Sequence, residues 1–281
     1  MPSRLNDGSA NPPRLRPTHA MWALIELPRG GPEWSLDEKF RRVAEAGFEA
    51  VECWPDEKTG PEIRDTLGRH GLRLGYGARS GNITGFEGKL KHAVSLGADY
   101  ANCHVEGPYN TDDEIEALVR DLMALSDDVG LPVFVETHRG TVTENLFRVW
   151  ELVRRVPDVR FCADLSHFAV GSEFTAMTEE HLAPVLERVS SFHARVSNGQ
   201  QIQVDVGDGL SGPARDFVRL WTIAMAHWKR AAVPGDILPF VSELGPPTYG
   251  IVDAQGRETS DRWQQSLAMR RLGEEAWDLA G

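Results

Sequence analysis

The chain has 281 residues and a formal net charge of −12, with 30 lysines and arginines against 42 aspartates and glutamates. A charge of this sign repels phosphate backbones and anionic membranes, and no basic patch is evident in the sequence, so nucleic-acid and membrane partners are not expected. The length suits one large domain. The three cysteines have no CxxC spacing, which argues against a disulfide framework or a thiolate zinc site.

The first residues are rich in proline, arginine, asparagine and glycine and contain no apolar segment typical of a signal peptide. No run in the chain approaches the roughly 20 apolar residues of a membrane span. We therefore predict a flexible N-terminal tail at residues 1–18, a single folded domain at residues 19–281 and a soluble, cytoplasmic protein.

Short apolar segments alternate with amphipathic ones from residue 20 onward, which is the pattern of repeated βα units. The apolar segments predict eight strands, at or within residues 20–25, 50–54, 72–76, 99–104, 133–139, 159–167, 190–196 and 237–242.

A predicted helix follows each of these strands. Capping boxes at Ser35 with Glu38 and at Thr111 with Glu114 open the first and fourth helices. A polar, glycine-rich insertion at residues 198–212 follows the seventh strand. Eight strands that are each followed by a helix predict a (β/α)8 TIM barrel, whose reactive groups lie at the carboxyl ends of the strands.

Four of these segments carry a potential metal ligand near the strand end: Glu136, Asp164, His193 and Glu243. The first two intervals between them are 28 and 29 residues, close to the roughly 30 residues of one βα unit, and the third contains the insertion as well. Ligands that are spaced by the length of one βα unit would all lie at the same end of the barrel. Three carboxylates and one imidazole favour Mn²⁺ or Mg²⁺ and tolerate Co²⁺ or Zn²⁺. Barrel-mouth polar residues without a metal are the alternative.

The motifs around these four residues resemble those of the xylose isomerase-like TIM barrels, the superfamily of sugar phosphate isomerases and epimerases. The resemblance extends from about Met21 to Gly245 and is most specific at residues 136–140, 164–167, 193–195 and 242–245. It implies that Glu136, Asp164, His193 and Glu243 bind a divalent metal. It also implies that His167 and Arg195 contact substrate oxygens.

The chemistry of such relatives is proton transfer at a carbon beside a carbonyl, through an enediolate that the metal stabilises. Glu136 and Glu243 are the candidate bases. Epimerisation requires both, whereas isomerisation of an aldose to a ketose, or elimination of water, could use one. His104, which ends the fourth strand, and His138, which lies two residues beyond Glu136, are further candidates for substrate binding.

The leading hypothesis is therefore a metal-dependent isomerase or epimerase of a small sugar, keto-sugar or cyclitol. A lyase or dehydratase using the same site is the closest alternative. An endonuclease IV-like nuclease disagrees with the acidic charge, and a non-catalytic sugar-binding barrel is a further alternative. Relatives of this kind are often dimers or tetramers, so a homo-oligomer is also expected.

Overall fold

The computed structural model describes residues 4–281, which form a closed barrel of eight parallel strands surrounded by helices. A two-residue strand, β1 (Leu5–Asn6), pairs antiparallel with the start of the last strand. The eight barrel strands are β2 (Arg14–Ala20), β3 (Ala50–Cys53), β4 (Arg73–Ser80), β5 (Tyr100–Val105), β6 (Val133–Glu136), β7 (Phe161–Ala163), β8 (Val189–Ala194) and β9 (Asp236–Ser242).

The barrel closes because β9 pairs in parallel with both β8 and β2. The surrounding α-helices are α1 (Leu36–Glu45), α2 (Gly60–Arg69), α3 (Ile83–Ser95), α4 (Asp112–Val129), α5 (Leu146–Arg155), α6 (Ser166–Gly171), α7 (Glu179–Leu186), α8 (Gly212–Arg230) and α9 (Arg262–Leu279). The single (β/α)8 barrel predicted from the sequence is confirmed.

The helix starts follow the capping signals in the sequence. At α4 the Thr111 hydroxyl accepts a hydrogen bond from the Glu114 backbone N–H, and the Glu114 carboxylate accepts one from the Thr111 backbone N–H. Gly130 then ends this helix at a φ of 69°, in the left-handed region that favours glycine. The short helix α6, directly after Asp164, has no counterpart among the predicted elements.

The first predicted strand is wrong. Residues Met21–Leu24 form a 3-10 helix, whereas Arg14–Ala20, most of which was assigned to the N-terminal tail, forms the first barrel strand. The sequence of this strand has two arginines and a proline and does not read as a core strand. Arg16 is nevertheless buried, because Asp99 provides an ion-pair partner at 2.6 Å. Residues 1–3 of the predicted tail lie outside the described residues.

Parallel pairing brings the carboxyl ends of all eight barrel strands to one end of the molecule. Glu136 is the last residue of β6, Asp164 follows β7 directly, His193 lies near the end of β8 and Glu243 follows β9 directly. Within residues 4–281, no helix combines the length and the apolar character needed to cross a membrane.

Candidate metal centre and active site

A cavity of about 500 Å³ opens at the carboxyl end of the barrel. Of the predicted site residues, His104, His138, Arg195 and Glu243 line it. The rest of its wall is largely apolar and aromatic, with contributions from Met21, Trp22, Ile25, Cys53, Trp54 and Tyr249. Arg79, at the end of β4, adds a second guanidinium, which is paired with Glu106 at 2.6 Å.

Three of the four predicted metal ligands meet at the floor of this cavity. His193 Nδ1 lies 3.2 Å from Glu136 Oε1 and 3.4 Å from Glu243 Oε2. One ligand atom from each of the three residues can be chosen so that all lie within 4.8 Å of one another. The structure therefore brings together side chains from β6, β8 and the end of β9.

Asp164 belongs to an adjoining cluster. One of its oxygens, Oδ1, accepts hydrogen bonds from the backbone N–H and the hydroxyl of Ser166, at 3.0 and 2.5 Å. The other, Oδ2, contacts Nη2 of Arg195, and the same Nη2 donates to Glu243 Oε2 at 2.8 Å. The guanidinium of Arg195 thus lies between the carboxylates of Asp164 and Glu243. Asp164 groups with Glu136 and His167 within 4.8 Å rather than with His193 and Glu243.

The chemistry of the trio fits a divalent cation. Both carboxylate oxygens of Glu136 and Nδ1 of His193 are buried and have no hydrogen-bond partner among residues 4–281, since their short contacts with each other and with His104 lack hydrogen-bond geometry. Buried anionic oxygens need a compensating positive charge, and a bound metal ion would take the place of the protons that His104 and His193 otherwise supply. Two carboxylates and an imidazole are ligands that Mg²⁺, Mn²⁺ and Zn²⁺ accept.

A carboxylate behind His193 was not assigned a role from the sequence. Glu52 Oε1 lies 2.6 Å from His193 Nε2, while Glu52 Oε2 accepts hydrogen bonds from Tyr100 Oη at 3.0 Å and Asn102 Nδ2 at 2.6 Å. A carboxylate that holds the outer nitrogen of a histidine is a common support for a metal ligand. The only signal in the sequence is a glutamate within the apolar strand β3.

Four rings form a row of contacts at the site, the first pair edge to face and the other two pairs tilted. Ring centroids are 5.0 Å apart between Trp54 and His104, 4.5 Å between His104 and His138, and 3.9 Å between His138 and His167. His104 and His138 reach the cavity. His167 is buried behind His138 and is not part of the cavity wall, although the resemblance implied a substrate contact for it.

The comparison with known families settles what kind of barrel this is. The sequence model for the xylose isomerase-like TIM barrel matches residues 40–211, which is more than half of the chain. The chain belongs to this family. The resemblance inferred from the motifs is thereby confirmed, and no curated protein matches the sequence significantly.

Solved structures of similar fold share little sequence with this chain. A sugar phosphate isomerase/epimerase from Parabacteroides distasonis is 13% identical with a TM-score of 0.61, over 92% of this chain and 96% of that one. A probable 3-DHS dehydratase from Bacillus anthracis is 13% identical with a TM-score of 0.58, over 92% and 98%. A xylose isomerase-like TIM barrel protein from Mycobacterium smegmatis, in complex with magnesium, is 13% identical with a TM-score of 0.54, over 95% and 98%.

The two glutamates of this trio have opposite pKa shifts. Burial raises the pKa of Glu243 to about 7, although the positive charges of His193 and Arg195 oppose this shift. Burial also acts to raise the pKa of Glu136, but the neighbouring His104 and His193 outweigh it and hold the pKa well below the usual range. Glu136 is therefore the more firmly anionic of the two.

The rim of the cavity is built around Gly245, the last residue of the fourth motif. A Cβ atom here would lie 2.4 Å from Tyr249 Cβ and 2.6 Å from Trp22 Cη2. Both backbone groups of Gly245 are hydrogen-bonded to the side chain of Gln203, at 2.7 and 3.2 Å. The insertion at residues 198–212 thus anchors the loop that carries Tyr249. The Tyr249 ring contacts Trp22 edge-on, and its centroid lies 4.9 Å from the guanidinium carbon of Arg195.

Proposed function

We propose that this chain is a divalent-metal-dependent isomerase that acts on a small sugar, keto-sugar or cyclitol by proton transfer beside a carbonyl. The observation that supports it most is the meeting of Glu136, His193 and Glu243 at the floor of the cavity, with buried oxygens and a nitrogen that lack hydrogen-bond partners. A divalent cation held there, with Asp164 in the adjoining cluster, would supply Lewis-acid polarisation of the substrate carbonyl.

The positions of the two glutamates assign them different tasks in this proposal. Glu243 lines the cavity, whereas Glu136 is fully buried, with His104 against its Oε2. Glu243 is therefore the carboxylate that can exchange a proton with a bound substrate, and Glu136 serves as a ligand. Isomerisation needs one such carboxylate, so it is better supported than epimerisation with Glu136 and Glu243 as a pair of bases.

The substrate contacts in this proposal are the groups that line the cavity with Glu243. Arg195 already donates to Glu243, and its position over Tyr249 places it where it can also orient a substrate oxygen. His104 and His138 line the same cavity and can offer imidazole nitrogens to the substrate. The aromatic rings of Trp22 and Trp54 can pack against the C–H face of a sugar or cyclitol ring.

A lyase or dehydratase is the second candidate, and the same single carboxylate supports it. Glu243 would remove the proton beside the carbonyl, and the imidazole of His104 would donate a proton to the departing hydroxyl. One protein of similar fold is named a probable dehydratase. Product mass distinguishes the two reactions, because an isomerase conserves it and a dehydratase releases water.

Two measurements test the proposal. Metal analysis should find about one divalent ion per wild-type chain, lost in Glu136→Gln and retained in the cavity-wall variant His138→Gln. Incubation with ketoses in D₂O should give metal-dependent deuterium uptake beside the carbonyl, lost in Glu243→Gln. Equal metal content in wild type and Glu136→Gln would refute the metal site, and undiminished exchange in Glu243→Gln would refute the role of this carboxylate.

A further inference from the structure

A second cavity, of about 680 Å³, lies at the opposite end of the barrel from the candidate metal centre. It is bounded by the starts of barrel strands and by the loop between α4 and β6. Its wall includes four arginines, Arg4, Arg14, Arg16 and Arg73, and two aspartates, Asp7 and Asp99. This excess of positive charge contrasts with the net charge of −12 of the whole chain.

Arg16, on β2, is the most informative residue of this cavity. Its side chain is only 2% exposed, and Nη1 donates to Asp99 Oδ2 at 2.6 Å. The remaining nitrogens, Nε and Nη2, are buried and have no acceptor among residues 4–281. Nε and Nη2 lie on one edge of the planar guanidinium, the edge that binds two oxygens of one anion. A buried cation with unused donors is expected to have an anionic partner.

The carboxylates of the cavity do not fully compensate its arginines. Arg73 also pairs with Asp99, through Nε to Oδ2 at 3.1 Å and through Nη2 to Oδ1, so two guanidinium groups share one carboxylate. Arg14 is paired separately with Glu49, and Arg4 with Asp236. The other aspartate of the wall, Asp7, accepts a hydrogen bond from the Ser9 backbone N–H at 2.9 Å, so Asp99 is the carboxylate that Arg16 and Arg73 share.

We propose that this cavity binds a small phosphate-bearing anion, with Arg16 and Arg73 as its principal ligands. Guanidinium groups recognise phosphate through paired N–H donors, and phosphate offers enough oxygens to engage both arginines at once. The same chemistry accommodates free inorganic phosphate or the phosphate group of a metabolite. Because the cavity is at the far end of the barrel, the proposal is independent of the function proposed for the metal centre.

The experiment is a calorimetric titration of the full chain with inorganic phosphate at constant ionic strength, with chloride as the balancing anion. We expect saturable binding that is weakened roughly 10- to 100-fold in Arg16→Met, because hydrogen bonds to a charged group are lost. Arg73→Gln should also weaken binding, and its side chain is 61% exposed, so this variant tests the site even if Arg16→Met does not fold.

Arg64→Gln is the matched control, since it removes the same charge from an exposed position on α2, outside the cavity wall. It should bind phosphate as the wild type does. Absence of saturable phosphate binding, or equal affinity in wild type and Arg73→Gln, would refute the proposal. A parallel titration with glucose 6-phosphate identifies the source: tighter binding than inorganic phosphate indicates a phosphorylated metabolite, and equal binding indicates free phosphate.

Discussion

Glu52 determines which nitrogen of His193 faces Glu136 and Glu243. A carboxylate can only accept hydrogen bonds, so His193 Nε2 donates to Glu52, and when a metal displaces the second proton of the imidazole its lone pair is on Nδ1. This is the nitrogen that lies 3.2 and 3.4 Å from the two glutamates of the proposed metal site. Gly75 makes the arrangement possible, because a Cβ there would lie 2.4 Å from Tyr100 Oη, which is hydrogen-bonded to Glu52.

Replacing Glu52 with Gln should therefore weaken metal binding. If the amide oxygen keeps the hydrogen bonds from Tyr100 and Asn102, the amide N–H faces Nε2 and favours the proton on Nδ1. We expect the metal dissociation constant to rise roughly 10- to 100-fold. Titration with Mn²⁺ measures the constant, and nitrogen NMR of His193 reports the tautomer.

Glu45→Gln, at an exposed position on α1, is the control for the loss of one negative charge. It should leave the dissociation constant unchanged. An unchanged constant in Glu52→Gln together with an Nε2-protonated His193 would show that Glu52 does not position this ligand.

Individual residues also show where prediction from sequence stops. The phase of the βα repeat identified the strand ends that carry Glu136, Asp164, His193 and Glu243, because periodicity along the chain fixes which end of a barrel a residue occupies. It could not show that Arg195 lies between Asp164 and Glu243, since this depends on side-chain rotamers. The partnership of Glu52 with His193 joins residues far apart in sequence and was equally inaccessible.

Among the structural elements, seven of the eight barrel strands were predicted near their observed positions, and the first was not. The seven have apolar segments bounded by turn residues, which single-sequence patterns detect. Strand β2 has arginines at positions 14 and 16, and only the ion pair between Arg16 and Asp99 of the loop before β5 explains how the second arginine can be buried. Such long-range compensation leaves no local pattern in the sequence.

The loop after β9 provides a prediction at the same scale. Gly245→Ala should destabilise the protein by about 1–3 kcal/mol, the usual cost of overpacking, because the new methyl group would overlap Tyr249 and Trp22. It should also weaken substrate binding, since both rings line the cavity. Urea unfolding measures the first effect.

Gly88→Ala on α3 is the matched control, because a Cβ at this position meets nothing within 4 Å. Alanine in a helix interior should leave the stability unchanged or raise it by about 0.5–1 kcal/mol. Equal stability of the Gly245→Ala protein and the wild type would show that Tyr249 and Trp22 can move to accommodate the methyl group without strain.

For the molecule as a whole, the barrel buries titratable groups away from the candidate site as well. His19 on β2 is fully buried between Phe48 and Trp263, and its Nδ1 donates to the Ala20 carbonyl at 2.9 Å. Burial lowers the pKa of His19 to about 4 from its ordinary value of 6.5. The folded protein therefore holds this imidazole neutral at pH values where the unfolded chain binds a proton.

This difference predicts part of the acid sensitivity of the fold. Above pH 6.5 both states hold His19 neutral and its full contribution is present; between pH 6.5 and 4 the unfolded chain gains a proton that the folded protein does not, and stability falls. The loss should reach about 3 kcal/mol near pH 4. We expect the unfolding free energy of the wild type, relative to that of His19→Phe, to fall by about this amount between pH 7.5 and 4. Parallel curves for the two proteins would contradict the prediction.

Labelling of the buried cysteines can report when the barrel opens. Cys53, Cys103 and Cys162 lie on three different strands and are all buried, and burial raises the pKa of each thiol. A thiol reagent can reach Cys103 or Cys162 only when the strands separate, so its labelling rate at each site measures the free energy of that separation. Slow, equal labelling of Cys103 and Cys162 would indicate a barrel that opens as one unit, and faster labelling of one of the two would identify the strand that detaches first.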